Sequence, residues 1–324
     1  MAEKTLEQMK EAVAEIRAKM AAAAREAGRD PATVQLCAAC KTRTAQTVAA
    51  SAALPIDVFG ENHVQELCAN FDAGAYCGKP SHFIGHLQTN KIKKVLGRAS
   101  LIQSVDSEHL LNAIEKEAAK AGIVQNVLLE VNIGGEESKT GVAPEALWPL
   151  LDAAAAEEHI RVKGLMAIPP VNDDDAQNRR YLAEVYKLFV QAGERGYQNV
   201  QMETLSMGMS GDFENAIREG ATLVRIGTAI YGERDYSKKV KNAPSSVCFA
   251  DSFPRPGEAF LRAAVSEKPS PRRGKVDASR ASGRMRVSNR RYHVQAKNDH
   301  HRPRRAPHQQ RRAHPAVFAV SGKI

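Results

Sequence analysis

The 324-residue chain has no uninterrupted apolar run approaching the ~20 residues needed to cross a bilayer. Its N-terminus lacks the apolar core of a signal peptide, since Glu3 to Arg25 alternates charges along a helical pattern. A cytoplasmic protein without membrane contact is therefore expected. Five cysteines at irregular spacings make no disulfide framework, and an odd number fits a reducing compartment. Cys37 and Cys40 form a C-x-x-C pair, but its redox use needs a helix starting after the first cysteine. Residues 34–40 read instead as a buried strand, where positions three apart face opposite sides, so two packing cysteines are expected. The chain also lacks a Gly-x-x-x-x-Gly-Lys-Ser/Thr loop and any His/Cys metal spacing, which argues against a P-loop nucleotide site and a zinc site.

What is present begins with charge. Lys plus Arg number 46 and Asp plus Glu 37, a net of +9 that would normally raise nucleic acid as a partner. The excess is confined to one end. Residues 235–324 hold 21 basic and 6 acidic groups, a net of +15, which leaves −6 on residues 1–234. The tail clusters Pro, Ser, Arg and His without helical or strand period, as at Pro269-Ser270-Pro271-Arg272-Arg273. It carries too few apolar residues to offset the entropy of ordering, and a disordered, basic, low-complexity tail is expected. Nucleic-acid contact would be confined to this tail, whose aromatics are sparse; the main reading there is a solvated segment without a specific partner.

From residue 34 onward, short apolar or β-branched runs alternate with longer helical patterns, which is the pattern of βα units around a parallel sheet. Candidate strands are 34–40, 56–59, 82–85, 101–105, 126–132, 161–166, 203–206 and 222–226. Helical patterns cover 44–53, 61–72, 89–97, 107–121, 144–157, 175–195 and 212–219. Start signals are Asp106 or Ser107, Pro144 in a first turn, and Asp212 before Phe213. Eight such strands close a (β/α)8 TIM barrel, whereas a doubly wound sheet usually has five or six. The expected domains are an α/β barrel over 1–234 and the tail over 235–324. A long helix over 3–27, stopped at Gly28, would pack outside the barrel or close its bottom.

In a barrel of this kind the chemistry sits on the loops at the C-terminal ends of the strands. Strand 1 ends at Lys41. A lysine closing an apolar strand is partly desolvated, which favours the neutral amine of Schiff-base chemistry, although a rim lysine reaching solvent reads the same way. Strand 2 ends at Gly60-Glu61-Asn62, strand 3 at Ile84-Gly85-His86-Leu87-Gln88, strand 5 at Glu130-Val131-Asn132 and strand 6 at Gly164-Leu165-Met166. Strand 7 runs into Met207-Gly208-Met209-Ser210-Gly211-Asp212, a small-residue turn whose N–H groups suit a phosphate. Strand 8 is followed by Gly227-Thr228-Ala229, a second donor cluster in the place where barrels often hold phosphate. A lysine on strand 1 opposite a phosphate cup on strands 7 and 8 is the layout that pyridoxal 5′-phosphate requires.

The segments Lys41-Thr42, Phe59-Gly60-Glu61-Asn62-His63-Val64-Gln65-Glu66, His82 to Lys91, Leu205-Ser206-Met207-Gly208-Met209-Ser210 and Arg225-Ile226-Gly227-Thr228 resemble the YggS/PROSC-type pyridoxal phosphate homeostasis family. The resemblance runs from about residue 5 to 234 and leaves the tail without a counterpart. It implies a single (β/α)8 barrel similar to the alanine racemase N-terminal domain. Lys41 matches the lysine that holds the cofactor through a Schiff base; Ser210, Gly227 and Thr228 match the phosphate-binding set. Arg225 matches the arginine facing the pyridine nitrogen, and Asn62, Ile84, His86 and Met207 match residues of the pocket wall. An arginine at the ring nitrogen opposes its protonation and weakens the cofactor as an electron sink. Racemases of this barrel type use a second base, a tyrosine from an added β domain of the partner subunit, and 235–324 shows no strand pattern. The expectation is a cofactor-binding homeostasis protein that buffers or delivers pyridoxal phosphate, affecting amino-acid and keto-acid balance without efficient catalysis. Apoenzymes needing the cofactor are its implied partners, and a monomer is expected. The alternative is a racemase-like enzyme acting on amino acids.

Overall fold

A computed structural model of the chain describes residues 4–170 and 174–233. Eight strands, β1 Gln35–Ala39, β2 Val58–Glu61, β3 Ser81–Phe83, β4 Leu101–Val105, β5 Gln125–Val131, β6 Ile160–Ala167, β7 Val200–Ser206 and β8 Leu223–Ile226, pair in sequence order as a closed parallel barrel. Closure is the pairing of β8 with β1, in which Leu36 meets Val224 and Cys37 meets Arg225. The TIM-barrel expectation therefore holds over the doubly wound alternative. Residues 235–324, and with them the expected tail, lie outside the described residues.

The helices are α1 Leu6–Glu26, α2 Ala45–Ser51, α3 Val64–Asp72, α4 Ile92–Val95, α5 Glu108–Ala121, α6 Leu147–Ala155, α7 Asp175–Glu194, α8 Phe213–Arg218 and α9 Thr228–Tyr231. Thr5 starts α1 with a capping box: its hydroxyl accepts from the Gln8 N–H, and the Gln8 side chain accepts from the Thr5 N–H at 2.9 Å. Met9, Val13, Ile16, Met20 and Ala23 recur at helical spacing and are buried. That stripe packs on α8, α9 and α2, so α1 lies outside the barrel and does not close its bottom. Ser107 caps α5, which ends at Gly122 in the left-handed region at φ 64°.

Three local expectations change. The helical pattern at 144–157 opens with a 3-10 turn over Pro144–Ala146 and becomes α only at Leu147. The pattern at 89–97 likewise splits into a 3-10 turn, Thr89–Lys91, and the four-residue α4. Asp212 makes no side-chain cap on α8; its carboxylate turns back to accept the Met209 N–H at 2.7 Å. On β6, Gly164 sits at φ 145°, and a Cβ there would lie 1.9 Å from the Thr204 carbonyl oxygen. Only glycine allows β6 and β7 to approach this closely through their register shift.

Alternation along the strands divides the wall into two faces. Phe59, Phe83, Ile102, Leu129, Leu205 and Val224 belong to the main core cluster shared with the helices. The other face holds two small clusters, Cys37 with Val58 and Leu223, and Leu101 with Leu128 and Met166. Cys37 and Cys40 thus fall on opposite faces, and all four described cysteines are free. Among the described residues no helix is long and apolar enough to cross a membrane, and no His/Cys/Asp/Glu group is placed to hold a metal.

Candidate functional site

Lys41 leaves the C-terminal end of β1 and is half-buried. Because the barrel closes, β1 and β8 are neighbours, so Lys41 stands beside the loop after β8 and not opposite it as the sequence layout suggested. The approach is tight: a Cβ on Gly227 would lie 3.0 Å from the Ala39 carbonyl oxygen. Thr228, the next residue, is exposed and opens α9. Ser210 lies half-buried in the β7–α8 loop, on an open cavity of about 290 Å³ lined also by Asp175, Gly211, Asp212, Asn215 and Arg218. In that loop the N–H groups of Asp212 and Phe213 both bond the Met209 carbonyl. Those of Ser210 and Gly211 make no backbone hydrogen bond among the described residues.

At the end of β2, Asn62 is half-buried, and its side-chain carbonyl oxygen is sealed from solvent with no hydrogen-bond partner among the described residues. A buried acceptor left alone is costly, and Asn62 shares this state with Glu61 and Asn178 among others. Next to it, a Cβ on Gly85 would fall 2.1 Å from the Asn62 backbone oxygen, so this close approach of the two rim loops depends on glycine. Ile84 is buried, and its Cδ1 lies 2.8 Å from where a Cβ on Gly60 would sit. His86 is on the exposed rim, its Nδ1 3.4 Å from the Asp106 carboxylate. Met207 is fully buried and belongs to the main core cluster, not to either interior cluster. The structure therefore gathers Lys41, Asn62, Ile84, Ser210, Gly227 and Thr228 at one end of the barrel, with His86 on its edge and Met207 packed behind β7.

Arg225 points into the barrel from β8 and is 5% exposed. Its Nη1 donates to Ser206 Oγ, and its Nη2 donates to the Ala167 carbonyl at 2.9 Å. Burial lowers its pKa, yet a guanidinium stays charged throughout the physiological range. Burial also pushes the neighbouring Cys37 thiol up to about 12, so it is neutral there. Glu130 of β5 is buried too, accepts from the Thr140 hydroxyl at 2.6 Å, and is pushed up to about 7 by burial.

Beyond the expected residues, the barrel interior contains a polar chain that motif reading left unassigned. Ser206 Oγ donates to Gln103 Oε1 at 2.6 Å, and Gln103 Nε2 stands 2.8 Å from His82 Nδ1. Ser206 and His82 lie in segments that carry the family resemblance. The available signal for Gln103 is alternation: in Leu101-Ile102-Gln103-Ser104-Val105 it shares the face of Leu101, an apolar interior position.

A family model described as alanine racemase, N-terminal domain, matches residues 12–235. The pyridoxal phosphate homeostasis protein of Aquifex aeolicus is 44% identical over 214 residues, 66% of this chain and 93% of that protein. The chain belongs to the pyridoxal phosphate homeostasis family. The family member of Pseudomonas aeruginosa is 39% identical over 226 residues, 70% of this chain and 96% of its own length. Among solved structures, PipY of Synechococcus elongatus with pyridoxal phosphate bound superposes with a TM-score of 0.61 at 28% identity. That match covers 69% of this chain and all of PipY.

Proposed function

We propose that the barrel binds pyridoxal 5′-phosphate through a Schiff base on Lys41 and serves the cell's supply of that cofactor by holding and releasing it. The observation that carries the reading is the β1–β8 register, which pairs Cys37 with Arg225, so that Lys41, beyond the end of β1, leaves the barrel beside the Gly227-Thr228 loop and on the rim side of Arg225. The donor set fits a phosphorylated aromatic aldehyde. Lys41 offers an amine, Ser210 and Thr228 offer hydroxyls, and the Ser210 and Gly211 N–H groups offer backbone donors for a dianion. Asn62 contributes an acceptor oxygen that has no partner among the described residues, Ile84 an apolar wall, and Gly227 a close backbone approach. His86 closes the rim, and Met207 supports β7 from behind.

When bound, the cofactor supplies an aldehyde for reversible imine chemistry. Lys41 would hold the cofactor through its amine, with the aldehyde oxygen given up as water on binding and water taken up again on release. No oxidant or reductant takes part. Arg225 would face the pyridine nitrogen, where its fixed positive charge would oppose protonation of the ring. A ring kept unprotonated withdraws electrons weakly, which suits holding the cofactor more than efficient amino-acid chemistry. The names of the homeostasis relatives support the same role, and recipients would be apoenzymes that require the cofactor. The protein is taken to act in the cytoplasm, where its free cysteines would stay reduced, and as a monomer. No nucleic-acid role is assigned to residues 4–233.

Protein loaded with pyridoxal phosphate and dialysed is expected to keep a visible absorbance band that borohydride removes, and Lys41→Ala is expected to lose it. A dialysis-stable band in Lys41→Ala overturns the site. The racemase-like reading predicts turnover of an amino acid by the purified protein, and such turnover would replace the carrier reading.

A further inference from the structure

Arg225 hangs at the end of a directional relay. An arginine only donates, so Ser206 Oγ must accept from it, and the hydroxyl proton is left to go to Gln103 Oε1. The Gln103 amide is thereby oriented with Nε2 toward His82 Nδ1, which must accept. His82 is then a neutral imidazole with its proton on Nε2. Burial acts in the same direction, lowering its pKa to about 4. The relay crosses the barrel from β8 through β7 and β4 to β3, and each member is at least nine-tenths buried. None of its links to Arg225 is a carboxylate. The titratable groups around the guanidinium are Cys37 on β1, Glu130 on β5 and Asp212 in the β7–α8 loop, and it hydrogen-bonds none of them.

We propose that Ser206, Gln103 and His82 are positioning residues for Arg225, an uncharged hydrogen-bond chain that aims the guanidinium while giving it no counter-ion. The inference rests on the reading that Arg225 faces the pyridine nitrogen. Two N–H groups of Arg225 are held, one by Ser206 and one by the Ala167 carbonyl, which fixes the plane of the fork. A carboxylate at the position of Gln103 or Ser206 would offset the positive charge within a medium of low dielectric. A neutral chain adds no negative charge to the influence that Glu130 and Asp212 already exert on Arg225, so the chain helps make the site a holder of the cofactor.

Ser206→Ala, Ser206→Thr and Gln103→Met test this in the full chain loaded with pyridoxal phosphate. Loss of a hydrogen bond to a charged partner predicts roughly tenfold faster cofactor loss on dialysis for Ser206→Ala. Its visible band should also differ from wild type in position or pH titration. Gln103→Met, similar in length but unable to accept, should change the band in the same sense, and Ser206→Thr, which keeps the hydroxyl, should restore it. Nitrogen NMR of the wild-type imidazoles needs no variant and should find His82 neutral with its proton on Nε2 from about pH 6 to about pH 9. Folded Ser206→Ala and Gln103→Met proteins with wild-type bands and retention would overturn the proposal, as would a His82 proton on Nδ1. If wild type forms no borohydride-sensitive band, the reading of the cofactor site fails instead. If wild type and Lys41→Ala behave as expected and the relay variants are silent, only the relay fails.

Discussion

On the outer face of the strands, Phe59, Phe83, Ile102 and Leu129 merge with Leu111, Ile114 and Leu151 of the helices into the main apolar cluster. On the inner face the apolar groups shrink to two sets of three, and between them runs the chain Arg225, Ser206, Gln103 and His82. Both faces bury polar groups, but in different ways. Outside, Glu61 is held by Asn70 at 2.7 Å and Tyr76 at 3.1 Å, and Cys40 and Ser51 share the Tyr231 hydroxyl. Those groups lock helices to strands. Inside, the polar chain converges on Arg225, below the rim where Lys41 and the phosphate-loop candidates collect. The outer face is organised for stability, and under the proposed function the inner face serves the ligand.

The harshest way to break this division is at the seam between rim loops. Gly85→Ala would drive a Cβ into the Asn62 backbone, and a loss above about 3 kcal/mol or failure to fold is expected in denaturant titration. A normal unfolding midpoint would show that the two loops are free to separate. Next in size, Leu111→Ala empties a fully buried outer position and should cost about 3 kcal/mol in urea unfolding. Its cofactor band should stay unchanged; a lost band would couple the faces.

A subtler test uses pH. Burial pushes the Glu61 carboxyl up to about 8 from 4.5. The folded chain therefore keeps a proton that the unfolded chain releases, so stability falls as pH rises from 4.5 to about 8 and then levels off. Glu61→Gln keeps a neutral side chain with Asn70 and Tyr76 and should flatten that slope in thermal melts across pH. An unchanged slope would remove Glu61 from the account. Glu130 adds a slope of the same sign up to about pH 7, and inner-face His82 works in the opposite sense. Its pKa is lowered from 6.5 to about 4, so its contribution is lost as pH falls through that window. The smallest expected effect is Lys10→Ala at an exposed i,i+3 pair with Glu7, within about 0.5 kcal/mol by the same melts.

The strand count was legible because the interior of a parallel barrel demands short apolar runs, and each of the eight runs sits where a strand forms. Edges were less legible. β7 starts at Val200, earlier than the apolar run suggests, because Gln201 and Glu203 are exposed on its outer face and mask the strand pattern. The helices at 89–97 and 144–157 were overdrawn, since helical periodicity does not distinguish a 3-10 opening from an α-turn. For the site, strand ends located Lys41 and the two loops, but adjacency depends on barrel closure. A linear reading set β1 across from β8, and the register makes them neighbours. The relay stayed hidden for the same reason: Gln103, His82 and Ser206 are 21 and 103 residues apart along the chain and meet only through the folded interior.

The most direct test of the inner face as the ligand site is to load the protein with pyridoxal phosphate, reduce it with borohydride, digest it and locate the pyridoxyl group by mass spectrometry. The account predicts the label on the peptide containing Lys41. A label on any other lysine, or none, would contradict it.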